Sequence, residues 1–431
     1  MTETNDFQDF QDLAKREIIT TAKRETTITF AREHLHEDTA RLLLSATQYP
    51  GIDMPAAVQQ IEGMRMAAEK WPSLLDDEEF LYPPRLNREQ ASSQAVAARR
   101  IAECMENMDI GGHIPEFDTL CVADLTGGMG IDAFTLASVC KEVDYVERDP
   151  QLCALMEHNC RVEETENIRV HHADCIEWLR QQAEQHKVFD LLYIDPARRD
   201  RQGRKMVGFD SCEPNILEHM PLLRRCCRYL LVKASPMIDI DLACRQLKHV
   251  ENVFVIAHRG ECKEVAFMCS NSQEPTLIHS LVADGDDTQY FCFTRKEERE
   301  AELYLAEEVE HYLYEPNVAV MKAGPFAMLC QEYEVDALAP NTHLYTSDEL
   351  VPDFPGRIFE VLQEVAPNHK AIQAVLPDGK AHVVVRNFPA DAATLQRQLG
   401  LREGGNLFVV ATTVGSRRTA FLCRLCLPPS A

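Results

Sequence analysis

The feature that most constrains the fold is a glycine-rich turn between a short apolar strand and an apolar helix. Residues 122–134 read VADLTGGMGIDAF, so that Asp124 ends the strand and Gly127, Gly128 and Gly130 form the turn. A strand, a glycine turn and a helix in this order build a nucleotide-type site at the carboxyl end of the first strand of an α/β sheet. The turn alone is weak evidence, because many α/β proteins use such glycines to pack a helix against a strand.

Strand and helix patterns alternate between residues 120 and 283. The apolar strands predicted there are residues 120–125, 143–147, 168–172, 189–194, 229–234 and 253–258, followed by a reversed strand at 265–269. Such alternation is typical of an α/β fold with a doubly wound, mostly parallel sheet. Residues before this region have helical periodicity and those after it mix short elements, which predicts a helical N-terminal region and a smaller C-terminal α+β region.

Within the C-terminal region, a helix is predicted at residues 297–312 and a strand at residues 318–323. The sequence D-G-D-D at residues 284–287 precedes this region as a linker, and Pro355-Gly356 marks a second break. The region is therefore expected to divide into two small units.

Composition and charge narrow the class of protein. The chain has 431 residues and a formal net charge of −25, which argues against a general nucleic-acid clamp. Basic residues nevertheless cluster at positions 198–205, and residues 371–431 carry seven Lys and Arg against three Asp and Glu. An acidic surface with local basic patches fits one selected anionic partner, although a solvated basic loop is the alternative.

The cysteines and the hydropathy pattern predict a cytoplasmic protein. The sixteen cysteines form no disulfide framework and are read as reduced thiols. No apolar run is long enough to span a membrane, and the N-terminus lacks the features of a secretory signal. The C-x-x-C at residues 423–426 has no second pair, so no metal site is expected.

Four acidic residues end consecutive predicted strands: Asp124, Glu147, Asp174 and Asp195. The carboxyl ends of parallel strands meet along one crevice, so we expect these side chains to line a single site. The carboxylate of Glu147 suits the two hydroxyls of a ribose, and that of Asp174 suits an adenine amino group, with the backbone amide of Cys175 beside the ring.

The turn favours a cofactor with an ammonium group over a dinucleotide. A dinucleotide site reads G-x-G-x-x-G, whereas this turn reads G-G-M-G and is followed by Ile131 and Asp132. Asp132 would stand at the helix start, where a pyrophosphate binds, and would repel it. Asp124 and Asp132 suit S-adenosylmethionine, which combines an ammonium group, a sulfonium, a ribose and an adenine. For each acidic residue alone, an N-cap or a surface position is an equal alternative.

The motifs D-L-T-G-G-M-G, V-E-R-D-P, H-A-D-C and Y-I-D-P, in this order, resemble those of class I S-adenosylmethionine-dependent methyltransferases. With E-P-N-V-A-V-M-K-A-G and P-N-T-H-L-Y-T-S, the chain is similar to methyltransferases of the Bacteroides type, which carry ferredoxin-like and THUMP-like domains. The resemblance implies a Rossmann-like fold in four parts. These are a helical N-terminal region (1–86), a methyltransferase domain (87–283), a ferredoxin-like α+β segment (284–358) and a THUMP-like domain (359–431).

The resemblance also implies roles for individual residues. Glu147 would hold the ribose, and Asp174 with Cys175 the adenine. The methionine part of the cofactor would be held by Asp124, Thr126, Gly127, Gly128, Gly130 and Asp132. A THUMP-like domain implies RNA binding, for which the C-terminal arginines offer a docking surface: Arg386, Arg397, Arg402, Arg417 and Arg418.

Methyl transfer requires the acceptor to be aligned with the sulfonium methyl in a pocket without water. Asp195 and the carbonyl of Pro196 are placed to accept the hydrogens of an exocyclic amine. Methyltransferases that act on amino groups usually read D/N-P-P-aromatic here, whereas this chain reads D-P-A-R. Arg198 would therefore stack on the base or clamp a phosphate in place of the aromatic ring. The residues Arg199, Arg201, Arg204 and Lys205 follow and suit RNA phosphates.

Carbon methylation is disfavoured, because no cysteine nucleophile follows the fifth strand. Lys233, near the end of that strand, is read as a lysine that snorkels to solvent rather than as a substrate contact. We expect a methyltransferase (EC 2.1.1.-) that acts on an exocyclic base nitrogen of rRNA or tRNA. The alternatives are a methyltransferase for a protein or small molecule, and a regulatory protein that binds S-adenosylmethionine without turnover.

Overall fold

The computed structural model describes residues 21–197, 208–209, 212–283, 289–415 and 417–426. The chain divides into two compact units, one of residues 1–252 and 264–274, the other of residues 253–263 and 275–431. Among the described residues, no helix has the length and apolar character needed to cross a bilayer.

The first unit begins with helices that pack around an apolar core, which also includes Met129 and Ile131 next to the glycine turn. Asp53 caps one of these helices by accepting a hydrogen bond from the amide of Ala56, and a proline follows at the first turn, which favours helix initiation. Trp71 and Tyr82 are buried in this core. The helices are α1 (Thr21–Glu33), α2 (Thr39–Leu44), α3 (Met54–Lys70), α4 (Arg85–Gln90) and α5 (Gln94–Glu106). The helical N-terminal region is thus confirmed.

The sheet of the first unit is doubly wound. Its strands are β1 (Cys121–Asp124), β2 (Glu142–Glu147), β3 (Ile168–His172), β4 (Phe189–Ile194), β5 (Cys227–Ala234) and β7 (Glu261–Cys269). They lie in the order β3-β2-β1-β4-β5-β7. The pairs among β1 to β5 are parallel, and β7 runs antiparallel to β5. The direction of winding reverses between β1 and β4, where α/β sheets of this kind form their ligand crevice.

The helices between these strands are α6 (Ile131–Ala137), α7 (Pro150–Val162), α8 (Cys175–Glu184), α9 (Ile216–Arg225) and α10 (Ile240–Leu247). Several begin with the acidic or amide residue that the sequence places after a strand or loop. Asp149, Asp174, Asn215 and Asp239 each accept a hydrogen bond from an amide of the first turn. The same carboxyl ends of strands thus carry both helix caps and candidate site residues.

The second unit contains a mixed sheet in the order β11-β12-β10-β13-β16-β15-β14, and further strands β6, β8 and β9. Its strands are β6 (Val250–His258), β8 (Leu277–Val282), β9 (Tyr290–Thr294), β10 (Tyr312–Pro316), β11 (Asp336–Ala337), β12 (Tyr345–Ser347), β13 (Gly356–Val365), β14 (His382–Val385), β15 (Leu407–Val414) and β16 (Arg417–Cys426). Its helices are α11 (Arg295–Glu300), α12 (Val318–Ala323), α13 (Phe326–Tyr333), α14 (His369–Val375) and α15 (Ala392–Leu399). The smaller α+β region expected from the sequence is confirmed.

Two element predictions in this unit were wrong. The helix predicted at 297–312 ends at Glu300, because the backbone of residues 304–306 hydrogen-bonds with Ala337 instead of continuing the helix. The segment predicted as a strand at 318–323 is α12. The side chain of Asn317 accepts bonds from the amides of Ala319 and Val320, and Gly324 ends the helix in the left-handed conformation.

One buried amide side chain contributes to the attachment of the N-terminal segment to the sheet domain. The side chain of Asn159, on α7, accepts a bond from the amide of Leu81 at 3.0 Å and donates to its carbonyl at 2.9 Å. Both residues are buried. A single side chain therefore satisfies both backbone groups of a residue that water does not reach.

We expect Asn159→Ala to lower the free energy of unfolding by about 2–3 kcal/mol, since it leaves two buried backbone groups without partners. The measurement is urea unfolding followed by tryptophan fluorescence, with the exposed neighbour Glu157→Ala as the matched control. Equal stability of the two variants would show that this attachment contributes nothing.

Candidate active site

The glycine turn after β1 lies directly against β2. A Cβ atom at Gly127 would come within 2.2 Å of the Tyr145 ring, so only glycine fits there. The hydroxyl of Tyr145 donates to the carbonyl of Gly128 at 2.8 Å. The amide of Gly128, a residue with φ of +55°, donates to Glu147 at 2.9 Å. The turn and the carboxylate at the end of β2 are thus held as one piece.

Asp124 is a buried carboxylate without a counter-charge among the residues that the structure describes. It is 1 % exposed, and one of its oxygens accepts a hydrogen bond from the amide of Thr126 at 3.0 Å. Within the described part of the chain, its other oxygen makes no hydrogen bond or ion pair. Burial, and then the negative charge of Asp132, raise the pKa of Asp124 well above its ordinary value. A cation placed beside this oxygen would stabilise the ionised form.

Charged groups share one face of the sheet near its carboxyl edge. Asp124 pairs in register with Tyr193, and Tyr193 with Leu231. Side chains alternate along a strand, so the side chains of Asp195 and Lys233 project from the same face as these residues. Glu264 of β7 forms an ion pair with Lys233 there.

Helices α5 and α6 add Arg100 and Asp132 to this charged face. Counting described residues only, this face holds four carboxylates against two cations, and this imbalance favours a ligand with positive charge.

Asp132 is already paired within the protein. One of its oxygens lies against the guanidinium of Arg100, and the other accepts a hydrogen bond from the hydroxyl of Tyr193 at 3.0 Å. The sequence predicts Asp132 as a second partner for an ammonium group, but this carboxylate has its own cation. Of the two carboxylates, Asp124 is the one that has no cation beside it among the described residues.

The other predicted cofactor residues lie at the ends of neighbouring strands. Glu147 accepts bonds from the amides of Gly128 and Asp149, one on each oxygen, and each oxygen retains a lone pair for a hydroxyl group. Asp174 caps α8 by accepting bonds from the amides of Ile176 and Glu177, both on the same oxygen.

Cys175 is buried at the start of α8, and burial raises the pKa of its thiol to about 12. The thiol is therefore protonated at neutral pH and is not a nucleophile.

Asp195 follows β4 beside the glycine turn. Its amide donates to the hydroxyl oxygen of Thr126 at 2.7 Å, and one of its carboxylate oxygens lies 2.6 Å from Nζ of Lys233. The side chain of Asp195 is 33 % exposed, whereas that of Lys233 is 11 % exposed. The interpretation of Lys233 as a lysine that snorkels to solvent was wrong, because carboxylates surround its ammonium group inside the domain.

The basic residues Arg198, Arg199, Arg201, Arg204 and Lys205 lie outside the described residues. The described chain on either side of them is anchored next to Pro196. The amide of Ala197 donates to the carbonyl of Glu213, and the amide of Glu213 donates to the carbonyl of Ala197, each at 2.9 Å.

Sequence reasoning missed Arg100 and Glu264. Arg100 is fully buried, and its guanidinium contacts Asp132, Glu264 and the Tyr193 ring. A signal was present, since Arg100 falls on the buried side of α5 with Ala97, Ile101 and Cys104. A charged residue inside an apolar helical stripe indicates a buried ionic partner.

Comparison with protein families places these residues in a known context. Residues 92–207 match the family model described as "Putative SAM-dependent methyltransferase", residues 312–355 match a ferredoxin-like domain, and residues 356–425 match a THUMP domain-like model. The expected order of a methyltransferase domain, a ferredoxin-like domain and a THUMP-like domain is thus confirmed.

Two individual relatives are informative. The chain is 28 % identical over 248 residues to an uncharacterized S-adenosylmethionine-dependent methyltransferase of Mycobacterium tuberculosis, a match that covers 54 % of this chain. The chain spans 64 % of the length of that relative. The crystal structure of a "putative methyltransferase" from Porphyromonas gingivalis is 26 % identical, covers 95 % of this chain and 100 % of its own, and superposes with a TM-score of 0.82.

We expect Asp124→Asn to raise the free energy of unfolding of the ligand-free protein at neutral pH, because burial raises the pKa of Asp124 in the folded state and an amide carries no charge to bury. The folded-state pKa lies above the unfolded one, so the stability that the protonated Asp124 contributes is lost as pH rises through the folded value. The stability gained by Asp124→Asn should therefore disappear at acidic pH, where Asp124 of the wild type is protonated. Urea unfolding at pH 7 and pH 4 measures it.

Asp190→Asn is the matched control, because Asp190 accepts a bond from the amide of Cys121 and pairs with Arg228. This control should gain nothing. Calorimetry with S-adenosylhomocysteine, which keeps the ammonium group, should show at least about tenfold weaker binding to Asp124→Asn, the equivalent of 1.4 kcal/mol. Unchanged binding would remove Asp124 from the site.

Proposed function

Because residues 92–207 form a SAM-dependent methyltransferase domain, we propose that this chain transfers the methyl group of S-adenosylmethionine to an exocyclic nitrogen of an RNA base. The observation that carries the proposal is the position of Asp195. This partly exposed carboxylate is tied to the glycine turn by the bond from its amide to Thr126. The candidate acceptor and cofactor residues thus share one rigid edge of the sheet.

The residues present fit the proposed cofactor. The unpaired oxygen of buried Asp124 suits the ammonium group, the closely packed glycine turn suits the methionine part, and Glu147 suits the ribose hydroxyls. Asp174 retains one carboxylate oxygen beyond its cap for the adenine amino group, beside the amide of Cys175. When bound, S-adenosylmethionine supplies an electrophilic methyl group on a positively charged sulfur.

Asp195 and the carbonyl of Pro196 would orient the acceptor amine. A carboxylate and a carbonyl that accept its two hydrogens direct the nitrogen lone pair away from the base plane. Held by Asp124, the glycine turn and Glu147, the cofactor would supply the methyl group to the nitrogen that Asp195 and Pro196 orient, and the electron pair of the broken carbon–sulfur bond would stay on sulfur. The nitrogen afterwards loses one proton to solvent. Alignment of this kind supplies much of the rate acceleration.

The second unit supports an RNA substrate. A groove of about 1280 Å³ there is lined by Arg357, Arg386, Arg418, Phe388 and Phe408, and also by the carboxylates Glu315, Asp391 and Glu403. Glu315 pairs with Arg357 and Arg386. Arginines fit phosphates, and aromatic rings provide surfaces on which bases stack. Few aromatic residues are close to the C-terminal arginines in the sequence. The fold nevertheless brings Phe388 and Phe408 beside arginines in this groove. The THUMP domain-like match covers the same residues.

The predicted docking arginines differ in availability. Arg386 pairs with buried Glu315, and Arg417 with Glu364. Arg397 and Arg402 bond to nearby backbone carbonyls. Arg418 is exposed and has no ion-pair partner among the described residues. Arg418 is therefore the arginine of this set that we expect to contact a phosphate.

We expect cells that lack this chain to lose one methylated nucleoside from RNA, and the wild-type gene to restore it. Asp195→Ala should not restore it, while binding of S-adenosylhomocysteine to the purified variant should remain within about threefold, less than 1 kcal/mol. Asp190→Asn, on the same strand, is the control and should restore the nucleoside. The measurement is mass spectrometry of digested RNA.

Restoration by Asp195→Ala would show that Asp195 is not required. An unchanged set of nucleosides in the deletion strain would contradict the RNA proposal. It would favour a protein or small-molecule substrate, or a cofactor-binding protein without turnover.

RNA affinity should fall with salt, because phosphate contacts release counterions. We expect Arg418→Gln to weaken binding of total cellular RNA and to reduce the slope of log K against log salt by about 0.7, the value for one contact to a single strand. Arg169→Gln is the control, since Arg169 is exposed but already paired with Glu142. A salt-independent affinity of the wild type would remove the phosphate argument.

A further inference from the structure

We infer that Lys233 is a positioning residue for methyl transfer, which acts by holding Asp195 in the orientation that the acceptor requires. This inference rests on the proposed function, since it assigns Asp195 to the acceptor. Sequence reasoning gave Lys233 no role in the chemistry. In the structure its ammonium group contacts the partly exposed Asp195 and the buried Glu264.

The ammonium group of Lys233 lies between two carboxylates. Its Nζ is 2.6 Å from Oδ2 of Asp195 and 4.0 Å from Oε2 of Glu264. With one Asp195 oxygen held in this way, the other is left to accept a hydrogen from the substrate. The amide of the same residue is fixed by Thr126. Asp195 is thus held at its backbone from the cofactor turn and at its side chain from β5.

Lys233 belongs to a continuous chain of buried ion pairs. Glu264 pairs with Arg100, and Arg100 pairs with Asp132 at the start of α6, directly after the glycine turn. The hydroxyl of Tyr193, two residues before Asp195, donates to Asp132. The acceptor carboxylate is therefore linked to the helix of the cofactor turn through a chain of ion pairs. The pairs Lys233–Asp195, Arg100–Glu264 and Arg100–Asp132 are charge-assisted hydrogen bonds, whereas Lys233 and Glu264 interact only electrostatically at 4.0 Å.

The local charges explain why a cation is needed at this position. Asp195 lies near Asp124 and Asp132, whose charges would repel its own. Burial lowers the pKa of Lys233, but the charges of Asp195 and then Glu264 outweigh this, so its pKa lies above the ordinary value. The side chain is thus a permanent cation. A carboxylate without this partner would rotate toward water and misplace the amine.

The test compares Lys233→Met, Lys233→Arg and Lys187→Met. Lys187 is the matched control, because its Nζ lies 2.7 Å from Asp144 in the same sheet, before β4 rather than after it. Each purified full-length protein is mixed with total RNA from cells lacking the chain and with S-adenosylmethionine carrying a tritiated methyl group. The single-turnover rate, the apparent KM for RNA and the affinity for S-adenosylhomocysteine are measured.

We expect Lys233→Met to slow transfer by about 10- to 100-fold, the range expected for misplacement of about 1 Å. KM and cofactor affinity should change less than about threefold, which is below 1 kcal/mol. Lys233→Arg should recover most of the rate, because it restores a cation, and Lys187→Met should transfer at the wild-type rate. A merely structural role would lower cofactor affinity and rate together. Wild-type rates for Lys233→Met, or no recovery by Lys233→Arg, would overturn the inference.

A double-mutant cycle tests the pair without any substrate. Urea midpoints are measured for Lys233→Met, Asp195→Asn and the variant with both changes. We expect the combined shift to be smaller than the sum of the single shifts, since removal of the carboxylate relieves the lost cation. Additive shifts would overturn the inference. Coupling between Lys233 and Asp195 in a wild-type protein that transfers no methyl group to RNA would contradict only the proposed function. A methyl group found on a ribose hydroxyl would also contradict only the proposed function.

Discussion

The rest of the site depends on the buried ion pairs that the guanidinium of Arg100 forms with Asp132 and Glu264. Arg100 is 0 % exposed and lies between Asp132 and Glu264, so that one side chain connects α5, α6 and β7. Removal of a charge from water is costly and is offset only by close opposite charges with good geometry. These three elements therefore cannot separate without exposing an unpaired charge, and the start of α6 keeps its position relative to β7.

The same face of the sheet combines paired and unpaired charge. Lys233 and Arg100 neutralise the carboxylates that position other groups, while no cation in the described part of the chain pairs with Asp124. Burial of an unpaired carboxylate destabilises the folded state, and a positively charged ligand would remove this cost. The distribution of charge thus separates the groups that are paired within the protein from Asp124, the residue proposed to contact the ammonium group of the cofactor. Under the proposed function, the carboxylate of Asp124 lowers the stability of the ligand-free protein and strengthens binding of the cofactor.

Local sequence patterns predicted the elements of the first unit but failed in parts of the second. In the sheet domain, apolar strands, glycines and acidic caps all indicate the same structure. At residues 318–323 the apolar run with two valines suggested a strand, although Asn317 and Gly324 supply the caps of a short helix. At residues 301–310 the composition suggested a helix, and pairing with Ala337, distant in sequence, replaced it. Contacts between distant residues outweighed local propensity there.

The succession of strands along the chain and the acidic residues at their ends could be predicted from the sequence alone. Parallel strands joined by helices must bring their carboxyl ends to one edge of the sheet. That reasoning placed Asp124, Glu147, Asp174 and Asp195 together. Tertiary structure alone decided which of these charges are neutralised. Arg100 and Glu264 lie 164 positions apart, and no local pattern reports that their charges meet. The pairing of Lys233 with Asp195 depends in the same way on packing between strands, since a lysine at a strand end reaches solvent unless other elements cover it.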